Sequence, residues 1–235
     1  MDKSQTGRLF AGILLAAIIF LIAITLPEAI SEVKSSLVTH TTMFILSLVF
    51  IILFGKGKFS DYGFRRGEKI KWLIPAIIAL SLGAVSTLIV LIFKISGINL
   101  SRGMSFPEII LYVWIVESIC EEVLMRGFLQ SFLSPLKEIK VKLYFAEIEL
   151  PVFIAAVCFS LIHLIIIRAG ADVMTVILIL IFTFCVGILA GIYRSKSGSL
   201  FPAIILHMLA NVGGVLGGII YGIAVYVITG NPPDM

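Results

Sequence analysis

Glu121 and Glu122 stand side by side in Cys120-Glu121-Glu122-Val123-Leu124-Met125-Arg126-Gly127-Phe128-Leu129, inside an apolar run from Pro107 to about Leu136. A charged side chain at the bilayer centre costs roughly 2.5 to 3.5 kcal/mol on insertion scales. Glu117, Glu121 and Glu122 together would therefore oppose insertion by about 10 kcal/mol if they faced lipid. They must face protein or trapped water. On a helix Glu122 and Arg126 form an i,i+4 pair in the favourable acid-first order, which predicts an internal ion pair. Glu121, about 100° further around, is left free. Glu117 lies four residues before Glu121 and shares its face, so two carboxyl groups compete there for a proton, the setting of a general base.

Two further polar sites lie in apolar helices. His163 follows Phe159 by four residues in Cys158-Phe159-Ser160-Leu161-Ile162-His163. His207 and Asn211, one turn apart, share a face. A single intramembrane histidine more often bridges helices than catalyses. Two histidines, an asparagine and a Glu pair on three helices point instead to a common site. Three chemistries suit that set. Glu121 could activate water for amide hydrolysis, with His163 sharing the proton transfer and His207 and Asn211 donating to an oxyanion. Glu121, His163 and His207 could instead hold a zinc ion, although the His-Glu-x-x-His signature is absent. The same groups could also form a transporter's proton relay. His40, in Thr39-His40-Thr41-Thr42, reads as a polar helix-end residue outside the chemistry.

The elements that must position these groups are set by composition. With 60% apolar and 14% charged residues among 235, and a mean hydropathy of +1.13, the chain is an integral, multi-pass membrane protein rather than a soluble domain. The expected fold is all-α, a polytopic transmembrane bundle of about eight spans around an intramembrane catalytic cavity. At about 20 apolar residues per span, helices are predicted near 9–27, 37–55, 72–95, 107–135, 150–168, 173–193, 199–212 and 214–229. The last two depend on a break at Gly213-Gly214. Without it, Leu200 to Thr229 is one tilted span carrying a Gly214-x-x-x-Gly218-x-x-x-Gly222 packing ladder. The units expected are 1–106, N-terminal helices with a basic loop; 107–212, the core; and 213–235, a C-terminal helix and tail.

Of the 18 Lys and Arg, 13 fall on the N-terminal side of the predicted spans, four (Lys34, Lys94, Arg102 and Arg168) on the other, and Arg126 within a helix. This asymmetry predicts a cytoplasmic N-terminus. Topology and anionic lipid account for the net charge of +4, so no nucleic-acid partner is implied. Residues 1–8 and the run behind them read as a retained first span rather than a cleaved signal. The ending, Asn231-Pro232-Pro233-Asp234-Met235, is no prenylation box of its own. Cys120, Cys158 and Cys185 are odd in number, lie in apolar runs and read as buried hydrophobes. The alternation from Glu138 to Leu150 predicts an interfacial strand or extended loop.

Glu121-Glu122-x-x-x-Arg126, Phe159-x-x-x-His163 and His207-x-x-x-Asn211, in that order on three apolar helices, resemble the CPBP intramembrane proteases. That family includes Rce1-type CaaX prenyl endopeptidases and Abi-type bacterial proteins of bacteriocin processing and self-immunity. The extended runs Glu121 to Leu129 and Gly198 to His207 strengthen the likeness, which covers about 107–212. Met125 stands where Phe is frequent, a swap of similar volume. The resemblance implies a membrane hydrolase in which Glu121 activates water aided by His163. His207 and Asn211 would stabilise the oxyanion, supported by Glu122 and Arg126. It implies no metal or other cofactor, with zinc through Glu121, His163 and His207 as the alternative. The implied substrate is a membrane-anchored peptide or protein entering from the cytoplasmic side, first of all a prenylated CaaX tail losing its C-terminal tripeptide. The alternatives are a bacteriocin-processing or self-immunity protein and a non-enzymatic transporter or scaffold. A transporter would be expected to carry internal repeats, and none is evident.

Overall fold

The structure is a computed structural model and describes residues 1–29, 35–95, 104–144 and 146–231. Lys34 and Arg102, expected in outer loops, and Phe145 of the alternating stretch lie outside these residues. The chain forms α1 (Lys3–Ala29), α2 (Ser35–Gly55), α3 (Leu73–Ile92), a composite helix α4 (106–132), α5 (Leu150–Ile162) with a 3-10 continuation His163–Ala169, α6 (Val173–Ser197) and α7 (Leu200–Thr229). Six of these helical segments are long and apolar enough to cross a membrane. The seventh, α4, carries the Glu pair.

The ends of the helices follow from local chemistry. Asp2 and Gln5 cap α1 reciprocally: the Gln5 N–H donates to Asp2 Oδ1 at 2.8 Å and the Asp2 N–H to Gln5 Oε1 at 3.0 Å. Ser105 and Glu108, with Pro107 in the first turn, open α4. Asp172 accepts the Met174 and Thr175 N–H groups at the start of α6. Gly198, at φ 70°, ends α6 in the left-handed region, and Ser199 immediately caps α7.

The expected break at Gly213-Gly214 does not occur. One helix of 30 residues runs from Leu200 to Thr229, so the described residues form seven long helical segments rather than the eight expected. The physical reason lies in its partner. Gly213 faces the Leu80 backbone, Gly217 the Ala84 backbone, and Gly83 of α3 the Ala210 backbone, so these glycines bring two helix backbones together. The packing ladder is thus Gly213-x-x-x-Gly217. Gly218 and Gly222, which the sequence pattern put in the ladder, face open space.

A second departure concerns α4. Short π-helical stretches, Ile109–Glu117 and Val123–Gln130, flank an α-helical turn Ser118–Glu122. Such wide turns are uncommon and cluster at functional sites. The alternating stretch 138–150 folds as an antiparallel hairpin, β1 (Lys140–Leu143) with β2 (Ala146–Glu149), pairing Lys140 with Glu149 and Lys142 with Glu147. The basic loop after α2 is stitched to the α6–α7 turn: Leu200 N–H donates to Gly63 O, Glu68 N–H to Ser197 O and Arg65 Nε to Gly198 O.

Outward faces are apolar, with Leu14, Leu53, Leu73, Ile181 and Ile223 all exposed, as lipid requires. The polar groups Ser118, Glu122, Arg126, Gln130 and His207 are turned inward, against a core built on Leu124, Met125, Phe128 and Leu129.

Candidate active site

The Glu122–Arg126 pair forms as its spacing predicts. Arg126 Nη1 donates to Glu122 Oε1 at 2.8 Å, and both side chains are fully buried. Arg126 is held from two more directions. Its Nη2 donates to Gly187 O at 3.0 Å, and its guanidinium lies 4.6 Å from the Phe159 ring centre. Gly187 permits this approach, since a Cβ there would sit 3.2 Å from Nη2. One further turn along, Gln130 donates to Gly191 O and Ser195 Oγ, and Arg194 donates to Ser131 Oγ. These bonds latch α4 to α6 and fix the rotation at which α4 presents its carboxylates.

Glu122 accepts a second hydrogen bond, from His207 Nδ1 at 3.0 Å. With Nδ1–H donating to that carboxylate, the His207 Nε2 turns to Glu121, 3.7 Å from Oε2. Glu121 therefore lies beside His207, largely buried, at 12% exposure. The Phe159 ring packs edge-on to both His207, at 5.3 Å, and His163, at 5.0 Å. His163 Nδ1 lies 2.8 Å from Phe159 O, a carbonyl that can only accept, so Nδ1 carries the hydrogen and Nε2 is free to accept a proton. His163 is within electrostatic reach of Glu121. Asn211 is placed differently from the rest. Its Nδ2 donates to Ser118 Oγ at 3.2 Å, one turn before Glu122 on α4.

Two residues that sequence reasoning left out belong to this cluster. His40 is no bystander at a helix end: α2 begins at Ser35, and His40 Nε2 reaches 3.4 Å from Glu121 Oε1, with Nδ1 3.9 Å from Glu117 Oε1. Ser36 donates from Oγ to Glu117 Oε1 at 2.7 Å. The rule that flagged the other intramembrane ionisable groups applied equally to His40, and the Ser36–His40 spacing of four already put both on one face. Nothing in the sequence singled out Gly187.

Ser36, His40 and Glu117, with Leu37, Met104, Tyr112 and Val116, line a recess where α2 and α4 begin. Counting crossings from α1, that end lies opposite the N-terminus and the basic loop. Among the described residues no three His, Cys, Asp or Glu side chains are grouped so as to hold a metal ion. Of the zinc set considered from sequence, the Nδ1 atoms of His163 and His207 are already engaged, by Phe159 O and Glu122.

Residues 104–213 match the Rce1-like family, described as Type II CAAX prenyl endopeptidase Rce1-like. That match runs from the start of α4 to the middle of α7, a little under half of the chain, and over it the sequence is similar to this family. The Rce1-like segment contains Glu121, Glu122, Arg126, His163, His207 and Asn211, whereas Ser36 and His40 precede it. That family is one of CAAX-type intramembrane proteases, which agrees with the apolar helices of this chain. No curated protein and no solved structure matches the chain.

Proposed function

We propose that the protein is an intramembrane endopeptidase that hydrolyses a peptide bond of a membrane-anchored substrate with a water molecule activated by Glu121. The observation that carries this reading is the state of the two adjacent carboxylates. Glu122 is committed to Arg126 and His207, while Glu121 has Oε1 beside His40 Nε2 at 3.4 Å and Oε2 beside His207 Nε2 at 3.7 Å, contacts longer than those of Glu122. One carboxylate is structural and its neighbour is available as a base.

In this mechanism Glu121 takes a proton from water as the oxygen attacks the carbonyl carbon. The tetrahedral oxyanion collapses, the C–N bond breaks, and the amine leaves with the proton returned through Glu121 and His163 Nε2. His207 and Asn211 donate to the oxyanion. For His207 this requires both ring nitrogens to carry hydrogen, with the carboxylates of Glu121 and Glu122 on either side to balance the charge. Asn211 has a second amide hydrogen beyond the one given to Ser118. No metal takes part. The family description, a CAAX prenyl endopeptidase, supports a prenylated CaaX protein as the substrate class, and the reaction proposed on it is removal of the C-terminal tripeptide.

The test is cleavage of a farnesylated CaaX peptide by purified protein in lipid nanodiscs, comparing wild type with Glu121→Ala and Glu121→Gln. Release of the tripeptide by wild type alone supports the reading. Activity that survives Glu121→Ala contradicts it, and activity lost to a chelator and restored by zinc contradicts its metal-free form.

A further inference from the structure

His40 stands on α2, before the Rce1-like segment begins at residue 104, yet its ring meets the carboxyl group on which the proposed hydrolysis depends. It is fixed from both ends. Nδ1 lies 2.8 Å from Ser36 O, which can only accept, so Nδ1 carries a hydrogen and Nε2 is directed to Glu121 Oε1 at 3.4 Å. The bridge between Nε2 and Oε1 then needs one hydrogen of its own. Ser36 Oγ, 3.3 Å from Nδ1, donates to Glu117 Oε1 and so braces the ring's outer edge. The titratable groups around this bridge are Glu117 and Glu121 from α4, His207 from α7 and His163 from the end of α5.

The two oxygens of Glu121 are thereby divided: Oε1 faces α2 and Oε2 faces α7. We propose that His40 is a positioning residue for Glu121, holding Oε1 through Nε2 so that Oε2, beside His207, is the oxygen that takes the proton of the attacking water. The role rests on the hydrolytic reading above. Its physical basis is geometric. A carboxylate on a single helix turn can swing about its side-chain torsions, and a displacement of about 1 Å at a reacting group costs about 10²-fold in rate. Seats on two different helices remove that freedom.

The experiment uses the full chain in nanodiscs, with the farnesylated CaaX peptide as probe, and compares wild type, His40→Phe, His40→Gln and Glu121→Gln. His40→Phe keeps a ring of similar size without a donor. The expected result is a kcat lowered about 10²-fold with KM little changed, and partial recovery in His40→Gln, whose amide can donate to Oε1. A second readout does not need activity. The infrared carboxyl band of Glu121 in ¹³C-Glu protein, assigned by its loss in Glu121→Gln, shifts in His40→Phe. Wild-type kcat in His40→Phe, or an unmoved band, overturns the proposal. If the wild type cleaves nothing, the hydrolytic reading has failed while the band still decides whether His40 holds Glu121.

Discussion

Arg126 is the residue on which the site's integrity turns. It is a fully buried guanidinium whose removal leaves Glu122 charged and buried with His207 as its one remaining side-chain hydrogen-bond partner among the described residues. Breaking a buried pair from one side typically costs about 3 to 5 kcal/mol, so Arg126→Ala should lower thermal stability in detergent as well as abolish activity. Glu121→Gln should leave the melting temperature within a few degrees of wild type, because its carboxyl group makes only longer contacts, with His40 and His207. A mutant pair that melts alike would contradict this division of labour. The local geometry of this cluster was legible in the sequence: the acid-first spacing predicted the Glu122–Arg126 bond, and the i,i+4 relation of Glu117 and Glu121 predicted their common face. What it could not carry was the partner across the bundle. Gly187 O and the Ser36–His40 pair approach α4 from helices remote in sequence, and only tertiary packing selects them.

At the scale of elements, close packing of α3 on α7 explains why a glycine-rich stretch continues as helix. A Cβ at position 217 would stand 2.6 Å from Ala84 O, and backbone cannot move aside as a flexible side chain can. Gly217→Leu should therefore destabilise the protein by about 1 to 3 kcal/mol, whereas Gly218→Leu, facing open space, should be near neutral. Thermal melts of the two variants in the same detergent distinguish the observed ladder from the one read off the sequence. The lengths and positions of the helices were legible because each is an apolar run of spanning length. The Gly213-Gly214 break was misread because a glycine pair signals a turn in water but close helix contact in lipid. The π-helical turns of α4 leave no mark in hydrophobic periodicity. Asp172 adds a pH dependence at the start of α6. The Thr175 N–H, joined by the Thr175 hydroxyl, holds the Asp172 carboxyl below its ordinary value. The cap therefore contributes stability above the ordinary carboxylate pKa and loses it as pH falls through the lowered one. Hydrogen exchange of the Met174 and Thr175 amides should quicken across that acidic window, and Asp172→Ala should remove the pH dependence.

For the whole molecule, counting α4 as a crossing beside the six apolar spans of the described residues puts the N-terminus, the loop 56–72 and the hairpin 140–149 on one face. The recess beside Glu117 and His40 opens on the other. The excess of Lys and Arg on the first face predicts that it is cytoplasmic. Single cysteines at Lys58 and Lys142 in a cysteine-free background should be labelled only from the cytoplasmic side, and one at Met104 only from the opposite side. This bears on the substrate. A prenylated CaaX tail is presented from the cytoplasm, so it must reach Glu121 from the basic face. A peptide presented from outside would come by way of the recess. Labelling in the reverse sense would turn the recess to the cytoplasm and remove the conflict.

The central claim is that Glu121 is the base of a peptide-bond hydrolysis. Its most direct test is mass spectrometry of new peptide termini in membranes that contain the wild-type protein or Glu121→Ala at equal, folded levels. Defined cleavage sites present with wild type and absent with Glu121→Ala are the predicted result. Identical sets of termini in the two membranes would contradict the account.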